Sequence, residues 1–125
     1  EFNEYFDRQL KLLDVSPEFA QRSINVGFSG GEKKMAEMLQ LAVLQPKLVI
    51  LDEVDSGLDV DALKKICTAL NTIKAQQPDL TFLIITHYKR ILEYLIPNTV
   101  HIMQQGKIIR SGDKSLANEI EQKGY

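Results

Sequence analysis

Two apolar runs, LVIL at residues 48–51 and FLII at 82–85, restrict this chain more than any other feature. Each is too short for a helix and unbroken by polar residues, the pattern of a strand covered on both faces in a parallel sheet. Between them, residues 59–77 repeat their apolar positions at helical spacing, with Asp59 placed as an N-cap and Pro78-Asp79 closing the end. Strand, helix and strand in that order predict a right-handed βαβ unit, because that crossover hand is nearly obligatory. The chain is therefore α/β, with a sheet at least partly parallel.

The flanking segments complete the pattern. Phe2, Tyr5, Phe6, Leu10 and Leu13 recur at helical intervals over residues 1–14, and Ser16-Pro17 begins a second short helix. Met35, Met38, Leu39 and Ala42 place a helix over residues 32–44, which Pro46 ends by biasing Gln45 away from helical geometry. A short helix is expected over residues 88–95. The β-rich arms of TVHIMQQGKIIRSG, on either side of Gln105-Gly106, predict a hairpin, and residues 113–123 a last helix.

Composition narrows the function. With 125 residues and 44% hydrophobic content the chain can bury one small core. A formal charge of -2 supplies no basic field for nucleic acid, and no run approaches the roughly 20 apolar residues of a membrane span, so neither partner is expected. The opening EFNEYFDRQL is unlike a signal or transit peptide, and the lack of an initiator Met suggests part of a longer protein. Cys67 is the sole cysteine and shares a helical stripe with Leu63, Ile66, Leu70 and Ile73, so it reads as a small core residue and rules out an internal disulfide. His87 and His101 have no partner at metal-ligand spacing, and no zinc site is expected.

Polar residues cluster where chemistry is expected. Ligands of parallel α/β sheets bind beyond the carboxyl ends of the strands, and there stand Asp52-Glu53 and Thr86-His87. Either pair could be a mere turn or cap. Adjacent carboxylates, however, repel unless a cation or hydrogen bonds offset them, and Mg²⁺ with retained waters suits oxygen ligands. An Asp on Mg²⁺ beside a Glu that orients water describes a site of nucleoside-triphosphate hydrolysis. A further motif, FSGGEKK at residues 28–34, sets Ser29 to cap a helix and two glycines to let a phosphate approach its N-terminus. Lys33 and Lys34 read as a solvated face.

The order FSGGEKK, LVILDE, DSGLD and the histidine of ITH resembles the carboxyl-terminal part of an ABC-type ATPase domain, from about Asn25 to the end. The resemblance implies a P-loop NTPase fold fragment: residues 1–45 as the end of the helical subdomain with its signature helix, and residues 46–125 as the carboxyl-terminal part of the RecA-like ATPase core, with the hairpin and terminal helix. It implies that Ser29, Gly30, Gly31 and Glu32 are the signature motif, contacting the γ-phosphate of ATP held mainly by the opposite protomer. Asp52 becomes the Walker B ligand of Mg²⁺ and Glu53 the catalytic carboxylate. Ser56, Gly57, Leu58 and Asp59 become the D-loop across an ATP-dependent homodimer, and His87 the switch histidine.

Within the family, transporter subunits usually continue that glutamate with Pro-Thr and Ser-Ala-Leu-Asp, whereas this chain has Val54, Asp55 and SGLD. GFSGGEKK, DEVDSGLDVDALK and ITHYKRIL are similar to the SufC-type ATPase of iron-sulfur cluster assembly, although Val54 is not the residue most expected there. That resemblance implies scaffold proteins of the SUF system as partners, in the cytoplasm or a plastid stroma. A transporter ATP-binding subunit and a non-enzymatic interaction fragment are the alternatives. No Gly-x-x-x-x-Gly-Lys-Ser/Thr occurs, so the loop that cradles the β- and γ-phosphates is not in these residues, and the chain alone is expected to be inactive.

Overall fold

Helical spacing at the amino-terminal end is realised as α1 (Phe2–Leu12), with Leu10 buried. The Tyr5 hydroxyl lies 3.1 Å from the carbonyl oxygens of both Ala42 and Val43, fastening α1 to a later helix. α2 (Pro17–Gln21) begins with proline at its first position and with the Ser16 side chain accepting from the Phe19 N–H. The computed structural model describes residues 1–23 and 26–123.

α3 (Gly30–Leu44) starts two residues before the expected position, because Ser29 and Glu32 form a reciprocal capping box. It ends at Gln45, in the left-handed region at φ 48°, with Pro46 behind it. Met38, Leu39 and Ala42 are buried, while Met35 on the same stripe is only half-buried.

β1 (Leu48–Asp52) leads through a turn into α4 (Val60–Gln76), which returns the chain to β2 (Thr81–Ile85). β1 and β2 pair in parallel, Leu48 opposite Thr81 and Asp52 opposite Ile85, as predicted. Leu63, Ile66, Leu70 and Ile73 of α4 are 0–1% exposed, and Cys67 at 1% lies in the same stripe. Full burial of such a side chain contributes about 1.5–3 kcal/mol, so this stripe anchors the core. The Lys74 ammonium closes the helix end, donating to the Pro78 and Leu80 carbonyls at 2.7 and 2.6 Å.

One face of the sheet is covered and the other is open. Val49 and Leu51 are buried, but Leu48 and Ile50 on the opposite face are 57% and 59% exposed, and Leu83 and Ile85 48% each. The apolar sequence encodes two covered faces, and the described residues cover one.

The chain divides into two compact units, residues 1–86 and 87–125. In the first unit α3 and α4 lie side by side and parallel: Gly31 adjoins Ala62 at their starts, and Ala42 and Ile73 line one small cavity near their ends. In the second unit the helix expected over 88–95 shortens to α5 (Ile91–Tyr94), because Arg90 stands at its N-cap and makes no side-chain cap. β3 (Val100–Gln104) and β4 (Lys107–Gly112) form the predicted antiparallel hairpin. Gln105 and Gly106 turn it with φ of 49° and 75°, both positive as a two-residue primed turn requires. Ile102 opposes Arg110 and Met103 opposes Ile108, leaving Ile109 as a bulge. α6 (Lys114–Lys123) follows.

Candidate functional site

The turn into α3 is braced from several directions. The Ser29 Oγ accepts from the Glu32 N–H at 3.2 Å, and the Ser29 N–H donates to Glu32 Oε2 at 2.8 Å. The other Glu32 oxygen accepts from Arg22 Nη1 at 2.6 Å, while Arg22 Nη2 donates to the Gly27 carbonyl at 3.1 Å. The same guanidinium lies 4.5 Å from the centre of the Phe28 ring, which stacks on Phe19 at 4.9 Å. The Ser29 backbone bond, and then Arg22, hold the Glu32 carboxyl below its ordinary range. Glu32 therefore stiffens the SGG turn with its side chain. Gly30 stands open, since a Cβ there would meet nothing within 4 Å. No spacing rule marks Arg22, ten residues from the carboxylate it pairs with, and sequence reasoning missed it.

At the carboxyl end of β1, Asp52 is exposed and pairs with Ile85. Glu53 follows with φ 47°, in the left-handed region that non-glycine residues rarely enter, at a cost of about 1–3 kcal/mol. Its N–H donates to the Ile85 carbonyl at 2.8 Å and its carbonyl accepts from Ser56 N–H at 3.0 Å, so the surroundings hold the strained conformation. The Glu53 side chain is left exposed beside Asp52.

Two residues on, Asp55 is 0% exposed, and its Oδ2 accepts from the Thr86 hydroxyl at 2.8 Å. The turn after β1 is thus tied to the end of β2 twice, through Glu53 and through Asp55. Asp55 was not singled out from the sequence. Its only signal was a carboxylate in DEVDSG and a hydroxyl in ITH at corresponding strand ends. Burial, with Asp55 adding a smaller contribution, pushes the Cys67 thiol up to about 11. Val54 is 3% exposed, a core residue without a polar role.

SGLD completes this edge. Gly57 has φ 71° with open space where a Cβ would stand, Ser56 is exposed and Leu58 is buried. Asp59 caps α4, its Oδ1 accepting from the Ala62 N–H at 2.7 Å. Because Gly31 adjoins Ala62, the SGGE and SGLD turns share one edge of the first unit. His87 follows Thr86 as the first residue of the second unit, exposed, its ring centre 3.9 Å from that of Tyr88.

Among the described residues no group of three or more His, Cys, Asp or Glu is placed to hold a metal ion. Asp52 and Glu53 still fit Mg²⁺, which keeps several waters and takes one or two exposed carboxylates together with substrate phosphates. No described helix is long and apolar enough to cross a membrane.

No protein-family model matches the chain. Curated relatives match it end to end. It is 50% identical over 125 residues to a probable ATP-dependent transporter of Synechocystis, covering 100% of this chain and 48% of that protein. It is 46% identical over 125 residues to the probable ATP-dependent transporter SufC of Escherichia coli, covering 100% and 50%. Among solved structures, a nucleotide-free ATP-binding cassette from an ABC transporter superposes with TM-score 0.76 at 24% identity, over 96% of this chain and 46% of that one. An ATP-binding cassette in its ADP conformation gives 0.77 at 25%, over 98% and 47%. The chain spans about half the length of the relatives and structures it matches.

Proposed function

We propose that this chain, a SufC-like segment of an ABC-type ATPase, supplies the hydrolytic carboxylates and the trans-acting phosphate contact of an ATP-hydrolysing subunit. One observation carries the reading: Glu53 is held in a left-handed turn at the end of β1, its carboxylate exposed beside Asp52 and its backbone tied to β2. Strain of this kind gathers where a side chain must be aimed.

In this reading Glu53 orients a water whose oxygen bonds to the γ-phosphorus as the bond to the β,γ-bridging oxygen breaks. The bridging oxygen keeps the electron pair and leaves as ADP, and the water oxygen departs in inorganic phosphate, its proton passing by way of Glu53. Asp52 would hold Mg²⁺, which neutralises charge on the β- and γ-phosphates. Ser29, Gly30 and Gly31 present the α3 N-terminus to the γ-phosphate of ATP carried by a second protomer, with Glu32 keeping the turn in shape. Ser56, Gly57, Leu58 and Asp59 cross the same interface, and His87 donates to the γ-phosphate.

A partner in iron-sulfur assembly is favoured by DEVDSGLD and by 46% identity to a protein named SufC. ATP-driven dimerisation would then rearrange SUF scaffold proteins, in the cytoplasm or a plastid stroma. The relatives' names favour a second reading, the ATP-binding subunit of a transporter. Co-purification with a scaffold or with a membrane subunit separates the two.

Glu53→Gln in the full-length protein tests the chemistry. ATP binding is retained and turnover falls by about 10² to 10⁴. Turnover within about threefold of wild type rejects Glu53 as the water-orienting group.

A further inference from the structure

The two glycines of FSGGEKK look interchangeable in the sequence, and the structure separates them. A Cβ on Gly30 would meet nothing within 4 Å, whereas one on Gly31 would stand 3.3 Å from the Ala62 Cβ. That is tighter than the roughly 3.5–4.0 Å of a comfortable carbon contact. Gly31 has no positive φ to justify it, and within a helix glycine costs about 1 kcal/mol relative to alanine. The close approach is what glycine provides there.

We propose that Gly31 is a positioning residue: its missing side chain lets the first turn of α3 seat against Ala62 of α4, so that the SGGE and SGLD turns keep a set spacing. The contact is stiff on the α4 side. The Ala62 N–H is bonded to Asp59 Oδ1 at 2.7 Å, and the N–H of the fully buried Leu63 to the Asp59 carbonyl at 3.0 Å. A methyl at position 31 cannot push Ala62 inward without disturbing the Asp59 cap, so it displaces either the SGGE turn or the start of α4. The inference deepens the proposed ATPase role, because in that reading both turns face the second protomer across the dimer.

A double-substitution cycle in the full-length protein tests it. Gly31→Ala lowers turnover about tenfold, as a misplacement of a fraction of an ångström does, leaves nucleotide binding by the monomer within about twofold, and does not lower the melting temperature. Ala62→Gly removes the atom that is struck, so the double variant regains turnover to within about threefold of Ala62→Gly alone. Gly30→Ala, with no atom to strike, is not rescued. Full activity of Gly31→Ala, a loss that persists in the double variant, a loss that follows melting temperature, or equal rescue of Gly30→Ala overturns the proposal. A second readout is independent of catalysis: in Gly31→Ala either the Lys33 amide, bonded to the Ser29 carbonyl at 3.0 Å, or the Leu63 amide exchanges hydrogen about tenfold faster, and both match the wild-type rate in the double variant. A wild-type protein without ATPase activity defeats the functional reading alone, and unchanged exchange at both amides then defeats the Gly31 contact.

Discussion

In the full-length protein, Thr86→Val removes one hydroxyl and keeps the branched shape, so it tests whether the Thr86–Asp55 bond holds the turn that carries Glu53. The bond is 2.8 Å long and ends on a carboxyl that is 0% exposed. A neutral exposed hydrogen bond nets about 1 kcal/mol, and one to a buried acidic group about 1.5–3, because the acceptor cannot turn to water instead. The larger figure applies here. For a protein of 150–250 residues, a loss of that size lowers the melting temperature by roughly 3–12 °C. By contrast, the 2.6 Å pair of Arg22 and Glu32, with side chains 41% and 37% exposed, is screened by water and contributes less. Urea unfolding of Thr86→Val, Asp55→Ala and the double variant gives the coupling, expected at about 1 kcal/mol or more, and Thr86→Ser should recover most of the loss. Since Asp55 lies two residues beyond Glu53, turnover of Thr86→Val falls about tenfold through a slight shift of that carboxylate. A coupling below about 0.5 kcal/mol, the limit of simple additivity, or a serine variant as damaged as the valine one, refutes the reasoning.

Gly30→Asp adds a side chain whose Cβ meets nothing within 4 Å, so it should spare nucleotide binding by the monomer and abolish ATP-induced dimers; normal dimers in light scattering would contradict the trans contact. The Glu32 carboxyl titrates below its ordinary value of 4.5, so what it adds to the SGG turn is complete above about pH 4.5 and is lost as the pH falls through the lowered value. The Ser29 amide resonance should therefore move only in acid, with a midpoint that rises in Arg22→Ala, and a wild-type midpoint at or above 4.5 would be inconsistent with this. The 125-residue chain alone should neither hydrolyse ATP nor bind Mg-ATP tightly, since it has no loop of N–H groups and lysine for the β- and γ-phosphates; a dissociation constant in the low micromolar range, roughly -8 kcal/mol by calorimetry, would misplace the nucleotide site.

Local physics made most of the fold legible. Ser16, Ser29 and Asp59 each cap the helix that follows, as their side chains dictate. Gln105-Gly106 turns the hairpin because glycine accepts positive φ, and the apolar runs of β1 and β2 pair in parallel because a helix intervenes. The candidate residues Asp52, Glu53 and the SGG turn were singled out because charged or cap-forming residues directly after a buried strand or before a helix are a local signal. What escaped depends on distance across the fold. Asp55 and Thr86 are 31 residues apart and Arg22 and Glu32 ten, and neither separation follows a helical or strand period. The left-handed turn at Glu53 escaped too, because no local preference favours glutamate there and a bond to the distant Ile85 carbonyl helps hold it.

The open face of the sheet has the same origin. Apolar runs in β1 and β2 specify two covered faces, yet only Val49 and Leu51 of β1 are buried, with Leu48, Ile50, Leu83 and Ile85 open to solvent. Residue type records the burial that selection requires of a side chain, without saying which segment provides it. Four large aliphatic side chains about half-exposed on one sheet face forfeit a substantial part of the roughly 1.5–3 kcal/mol that each would gain from full burial. The carboxyl ends of the same strands carry Asp52, Glu53 and Thr86. Covering that face would therefore do two things at once: stabilise the βαβ unit, and stiffen the strand ends from which Asp52 and Glu53 project.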